Sequence, residues 1–162
     1  MQKTINSRTS DVAVRDLQLV SKADSVVLKN GEEEKTKRYV ALCWSRNPLT
    51  EEQIVHLNSV KDLTLKQQTP IRVLHRRPLA TRERTVYRLA VLQRVGTDPQ
   101  SSHFFVLELS TQAGTYIKEF VHGDLGRTRP SLGDLLSTEC DILVLDVTAV
   151  ELDWPKPLDV TT

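Results

Sequence analysis

Residues 113–136, AGTYIKEFVHGDLGRTRPSLGDLL, constrain the fold more than any other stretch of the chain. Upstream, His103 to Leu109 alternates apolar and polar residues with the period of two that a strand requires, whereas Ile117, Phe120, Val121 and Leu125 recur at helical spacing. The change of period falls near Gly114, where the backbone can bend without a Cβ clash. Gly126 is placed to end the helix, a basic run (Gly126-Arg127-Thr128-Arg129-Pro130) follows, and Ser131 caps a short helix carrying Leu132, Leu135 and Leu136. The stretch therefore demands a sheet that hands over to helices.

The rest of the chain supplies the strands. Ala13–Val20 alternates in the strand manner, after about a dozen polar N-terminal residues that read as loose. Lys29–Lys37 reads as a charged hairpin or loop turning at Asn30-Gly31. Arg38–Trp44, RYVALCW, is apolar enough for a strand buried on both faces. Thr50 and Gln53 form a capping box for a helix with Ile54, Leu57 and Val60 on one side. Leu63 and Leu65 alternate with polar residues before Pro70, and Ile71–Leu74 reads as a short strand. Arg82–Val95 is a long strand, Gly96-Thr97-Asp98-Pro99 a turn, and Ile142–Trp154 a last strand ended by Pro155 and Pro157. The sum is an α+β fold of six or seven mostly antiparallel strands with two or three helices on one face, spanning residues 13–158.

A length of 162 residues suits one domain or half of a larger one. The formal net charge of +1 does not by itself advertise nucleic acid, but its distribution is uneven. Arg72, Arg76, Arg77, Arg82, Arg84 and Arg88 accompany His75 against the single acid Glu83. Such a local bias binds phosphates without moving the global charge. Cys43 and Cys140 form no CxxC pair, and His56, His75, His103 and His122 show no metal spacing, so no metal site is expected. No apolar run approaches the ~20 residues needed to span a bilayer, and the first residues lack the apolar core of a signal peptide. A soluble intracellular protein in a reducing compartment is expected.

Three segments offer chemistry, each with a plainer alternative. Tyr39 follows a Lys/Arg run at the start of a strand and could stack on an extruded base, a contact contributing on the order of 1–3 kcal/mol. On pattern alone a core or edge tyrosine whose hydroxyl reaches water is the reading to prefer. Arg76-Arg77 could grip phosphates bidentately, or form a solvated patch. Lys118 lies in the first turn of its helix, where the macrodipole disfavours a cation, which suits a lysine that faces an anion. A solvent-exposed lysine is the alternative.

The order and wording of these segments carry a resemblance. RYVALCW, then QxTPxRVLHRRP followed by RxRxV, then AGTYIKEFVHGDLGRTRP, and the terminal ILVLDVxxVxLDWP together resemble the tenth Pus family of archaeal and eukaryotic tRNA pseudouridine synthases, from about residue 13 to 158. The GTYIK portion is also similar to the motif of the bacterial tRNA pseudouridine-55 synthases.

The resemblance implies the pseudouridine synthase catalytic-domain fold, with a mixed, mainly antiparallel sheet. It implies isomerisation of uridine to its C-glycoside in the tRNA T-loop, at positions fifty-four and fifty-five, without cofactor or metal. A flipped uridine is held while an aspartate attacks the sugar or helps expel the base. Tyr39 then corresponds to the tyrosine that stacks on the base, and Lys118 to the basic residue that pairs with the catalytic carboxylate. Leu135 corresponds to the apolar residue beneath the active site, and Tyr116 to a support of the cleft. Arg76, Arg77, Arg127 and Arg129 are the expected phosphate contacts.

The family's N-terminal RNA-binding region and CxxC zinc-type elements have no counterpart in the chain, and a more consequential element is missing too. The nucleophilic aspartate, set in a GRPF-like run, has no counterpart here. Asp11 and Asp16 are the nearest candidates, but their surroundings resemble a segment that follows that motif. The expectation is an incomplete half of the catalytic domain, inactive alone, with the missing N-terminal half as a partner. A partial gene model accounts for this better than a fragment or a short paralogue. The competing expectation is a non-catalytic RNA-binding or adaptor module.

Overall fold

The computed structural model describes residues 1–15, 17–23, 26, 35–96, 98 and 102–151. The chain divides into two compact units, one of Met1–Glu32 with Asp153–Thr162 and the other of Glu33–Leu152.

In the first unit a short helix, α1 (Gln2–Asn6), forms where the sequence reads as loose. Asn6 then ties off the following segment with its side-chain amide: Nδ2 donates to Val14 O at 2.8 Å and Oδ1 accepts from Val14 N at 2.8 Å. The strand expected over Ala13–Val20 is absent among the described residues there, which are irregular. The alternation of Val14, Leu17 and Leu19 finds no buried face, and Leu19 is 99% exposed. Asp16 and the turn at Asn30-Gly31 lie outside the described residues.

The second unit is a six-stranded sheet in the order β5-β2-β3-β4-β1-β6, and all its pairings are antiparallel. The strands are β1 (Thr36–Ser45), β2 (Lys61–Gln68), β3 (Thr81–Val95), β4 (Phe104–Gln112), β5 (Thr128–Arg129) and β6 (Cys140–Glu151). On β1 the buried residues Tyr39, Ala41, Cys43 and Ser45 alternate with half-buried Val40, Leu42 and Trp44. The strand is thus fully buried on one face only, against the expectation of two. Tyr39, Ala41 and Cys43 stand opposite Leu109, Leu107 and Phe105 of β4, so one face of the sheet is continuously apolar.

The helices close that face. Helix α2 (Glu51–Ser59) brings Leu57, α3 (Ile117–His122) brings Ile117, Phe120 and Val121, and α4 (Leu132–Leu136) brings Leu132 and Leu136. The capping box expected at Thr50 forms, with Thr50 N on Gln53 Oε1 at 2.9 Å and Gln53 N on Thr50 Oγ1 at 3.2 Å. Gln53 Nε2 also donates to Leu136 O at 2.7 Å, joining α2 to the end of α4. Ser131 and Asp134 make the same reciprocal cap on α4.

Two local expectations are corrected. Helix α3 stops at His122, because Gly123 takes the left-handed conformation (φ +79°) that caps it. Asp124 and Leu125 follow with φ of 48° and 55°, so Leu125 leaves the helical face and is 92% exposed. Ile71–Val73 is a 3-10 turn, not a strand. Pro70 has no N–H for a ladder, and its carbonyl instead accepts Val73 N at 3.0 Å. No helix among the described residues is long and apolar enough to cross a membrane.

Candidate active site

Two sequence motifs that are far apart in the chain interlock at one end of the sheet. Strand β2 runs into Thr69-Pro70 and the 3-10 turn, while β4 runs through the Gly114 bend into α3. Gly114 has φ +79°, so the bend uses the freedom that only glycine has at no cost. A Cβ built on it would lie 3.3 Å from Arg84 Nε, which shows that the Arg84 guanidinium rests against the bend.

Side chains seal the joint. Gln67 bonds to both backbone groups of Tyr116, donating from Nε2 to O at 3.0 Å and accepting from N at Oε1 at 2.9 Å. Asp124 Oδ2 accepts from Ile71 N at 3.1 Å. Arg72 Nε donates to Glu119 Oε1 at 2.6 Å, and its guanidinium carbon sits 5.8 Å from the centroid of the Tyr116 ring. The hydrogen bond to Glu119 raises the Arg72 pKa, so the guanidinium stays charged.

The loop after Pro70 is closed on itself. Thr69 N donates to Ala80 O at 2.9 Å, and Thr69 Oγ1 donates to Pro78 O at 2.7 Å. Arg76 and Arg77 stand exposed on this closed loop, each with its backbone N–H on Val73 O. Arg127 is partly occupied inside the protein. Its Nε and Nη2 reach Thr69 O at 3.3 and 2.8 Å, and Asp124 lies 3.7 Å away, which leaves Nη1 outside that contact. Arg129 is exposed on β5 opposite Lys66 of β2.

Lys118 is exposed in the first turn of α3 and makes no ion pair among the described residues. The adjacent Ile117 is buried in the same apolar cluster as Tyr39. Tyr39 is 8% exposed, and burial raises its pKa, so its hydroxyl keeps its proton at neutral pH. Leu135 packs half-buried against that cluster. The fold therefore sets Tyr116 and Glu119, which flank Lys118 in the chain, against Arg72 of the arginine loop, and sets Tyr39 and Leu135 in or against the apolar core. Asp11 is exposed in the first unit, and Asp16 lies outside the described residues. Among the described residues no group of three or more His, Cys, Asp and Glu side chains could hold a metal.

Sequence reasoning gave no role to Gln67 or Glu119, both buried polar residues. A signal existed for Gln67. It continues the buried face of β2 that Leu63 and Leu65 begin, where a polar side chain must find partners.

The family described as "Pus10, C-terminal" matches residues 1–151 of this chain. The chain belongs to that family. Among Pus10 relatives, the human tRNA pseudouridine synthase Pus10 is 50% identical over 159 residues, covering 98% of this chain. The Xenopus laevis protein of the same name is 51% identical over 160 residues, also 98% of this chain. The archaeal one from Thermosphaera aggregans is 37% identical over 145 residues, or 89% of this chain. The chain spans only 29%, 30% and 32% of the lengths of these three Pus10 proteins. Among solved structures, a chain of a Cbf5-Nop10-Gar1 complex superposes with a TM-score of 0.52 at 24% identity, covering 71% of this chain and 30% of that one. That likeness shows the fold, which is the pseudouridine synthase fold.

Proposed function

We propose that this Pus10-family chain forms the part of a tRNA pseudouridine synthase that holds the target uridine and orients the catalytic carboxylate. The reaction isomerises uridine in the tRNA T-loop at positions fifty-four and fifty-five. The observation that supports this best is the joint itself: an exposed lysine on the first turn of α3, with no carboxylate partner among the described residues, beside a tyrosine fixed by Gln67 and Arg72.

In this reading an aspartate comes from the portion of the relatives' length that the chain does not span. It attacks C1′ or helps expel the base, so that the C1′–N1 bond breaks. The base turns, C5 bonds to C1′, the C5 proton leaves, and N1 gains a proton. Lys118 pairs with the aspartate, which keeps the carboxylate ionised and aimed. Tyr39 stacks on the base and takes part in the C5 proton transfer. Leu135 supports the apolar floor. Arg76, Arg77, Arg127 and Arg129 meet phosphates, and Tyr116 supports the cleft between.

The test is release of tritium from C5-labelled uridine in a tRNA transcript by full-length enzyme bearing Lys118→Met or Tyr39→Phe. Loss of release with tRNA affinity retained supports the assignment. Wild-type rates in both variants would overturn it, and tRNA binding without release by the unsubstituted enzyme would favour an RNA-binding module.

A further inference from the structure

Gln67 is 1% exposed, on the β2 face that Leu63 and Leu65 turn towards the core. Burying an amide is costly unless each of its groups is paired. Both groups are paired, and to a single residue 49 positions away: Nε2 on Tyr116 O at 3.0 Å and Oε1 on Tyr116 N at 2.9 Å. Thr128 Oγ1 lies 3.4 Å from Nε2. The donor and the acceptor of Tyr116 together fix which end of the Gln67 amide is which.

Tyr116 is the residue on which α3 starts. Its carbonyl accepts the first helical bond, from Phe120 N at 3.0 Å, and also the bond from Gln67. Strand β4 ends at Gln112, and the left-handed Gly114 separates it from Tyr116, so the sheet ladder does not hold this residue. The amide does what a neighbouring strand would do, at the one point where the strand has stopped. Lys118 is two residues further on, in the first turn.

We propose that Gln67 is a positioning residue for uridine isomerisation: it clamps the backbone of Tyr116 and thereby fixes where Lys118 presents its ammonium. The proposal rests on the functional reading above, in which Lys118 meets the catalytic carboxylate. A displacement of about 1 Å at reacting groups is enough to cost ~100-fold in rate.

The experiment uses the full-length enzyme with Gln67→Leu and Gln67→Glu. The glutamate variant is the sharper one. Ionised, it has no donor and faces the Tyr116 carbonyl with a second oxygen; protonated, it regains one donor and one acceptor. Single-turnover tritium release in Gln67→Leu is expected to fall ~100-fold relative to wild type at every pH, with the tRNA Kd changed by less than about twofold. Release in Gln67→Glu, normalised to wild type at each pH, is expected to be equally low at pH 8 and to climb as pH falls and the carboxylate takes up its proton. Wild-type rates in both variants, or a flat normalised profile in Gln67→Glu, would overturn the proposal.

Hydrogen exchange at the Tyr116 amide provides a readout independent of turnover. That amide is expected to exchange ~5-fold faster in Gln67→Leu than in wild type, since the leucine removes the Oε1 that accepts its N–H and a lost hydrogen bond of ordinary strength corresponds to about that factor. Equal exchange would overturn the clamp even if activity fell. An unsubstituted enzyme that releases no tritium would sink the functional reading, while faster exchange in the variant would still show the clamp.

Discussion

Arg72 and Glu119 form an ion pair in which only the acid is buried: the Glu119 side chain is 2% exposed and that of Arg72 is 53% exposed. The asymmetry makes the two halves unequal to lose. Removing Glu119 frees a guanidinium that already reaches water. Removing Arg72 strands a carboxylate in the core, and an unpaired buried charge is the costly case. Arg72→Ala is expected to cost about 2 kcal/mol, below the ~3–5 typical of fully buried pairs because solvent screens the exposed side. Adding Glu119→Gln should recover part of the loss, because the variant no longer buries an unpaired charge. Urea unfolding of the wild type, Arg72→Ala and Arg72→Ala/Glu119→Gln checks this; a double variant no more stable than Arg72→Ala would contradict it.

Gly114→Ala tests the bend. A φ of +79° costs a non-glycine residue roughly 1–2 kcal/mol, and the new methyl would also crowd Arg84 Nε at 3.3 Å and Nη2 at 3.4 Å. Arg84 can yield, because among the described residues its guanidinium is anchored through Nη1 alone, on Glu83 O at 2.8 Å. The steric part should therefore disappear in Gly114→Ala/Arg84→Ala, making the pair less than additive. Melting temperatures of the four proteins decide it, and strict additivity would mean that the guanidinium does not rest on the bend.

Alkaline stability follows from the thiols. Burial pushes the Cys43 thiol up to about 12, with Cys140 and Asp141 adding to the shift, and burial does the same for Cys140. An unfolded thiol ionises near its ordinary value of 9.0, so the stabilisation is complete below that pH and is lost as pH rises towards about 12. Each thiol should steepen the fall of stability by up to ~1.4 kcal/mol per pH unit in that window. Cys43→Ala should flatten the profile between pH 9 and 11 and leave the slope at pH 6 to 8 unchanged; an unaltered alkaline slope would contradict it.

The arginine loop gives a salt prediction. Arg76 and Arg77 are exposed and carried on a loop closed by Thr69, so replacing both with alanine should leave the fold intact. Each phosphate contact contributes roughly 0.7–0.9 to the slope of log affinity against log salt. The double variant should bind tRNA more weakly and with a slope shallower by between one and two. Parallel salt titrations check it, and an unchanged slope would place the phosphate contacts elsewhere.

The elements readable from sequence were those in which a local pattern and the global fold agree. Thr50 and Gln53 cap α2 as their spacing says, and Val86, Leu89, Phe105, Leu107 and Leu109 of adjacent strands are buried in one apolar cluster, with Leu89 opposite Leu109. Misreadings arose where a distant partner or a left-handed glycine decides. Ile71–Leu74 alternates like a strand, but Asp124 takes the Ile71 N–H and Pro70 starts a turn. Leu125 keeps helical spacing with Phe120 and Val121, but Gly123 ends the helix two residues earlier. Gln67 was visible as a polar residue on an apolar face, yet nothing near it in sequence names Tyr116 as its partner. The motif wording located Lys118, and only the fold connects it to β2.

The most direct test of the whole account is tritium release from C5-labelled uridine in a T-loop transcript, measured with this chain alone and again with the aspartate-bearing remainder of a Pus10 protein added. The account predicts no release from the chain alone, release from the mixture, and loss of that release when the chain carries Lys118→Met. Release by the chain alone would contradict it and would place the nucleophile among its own residues, with Asp11 and Asp16 the first to replace.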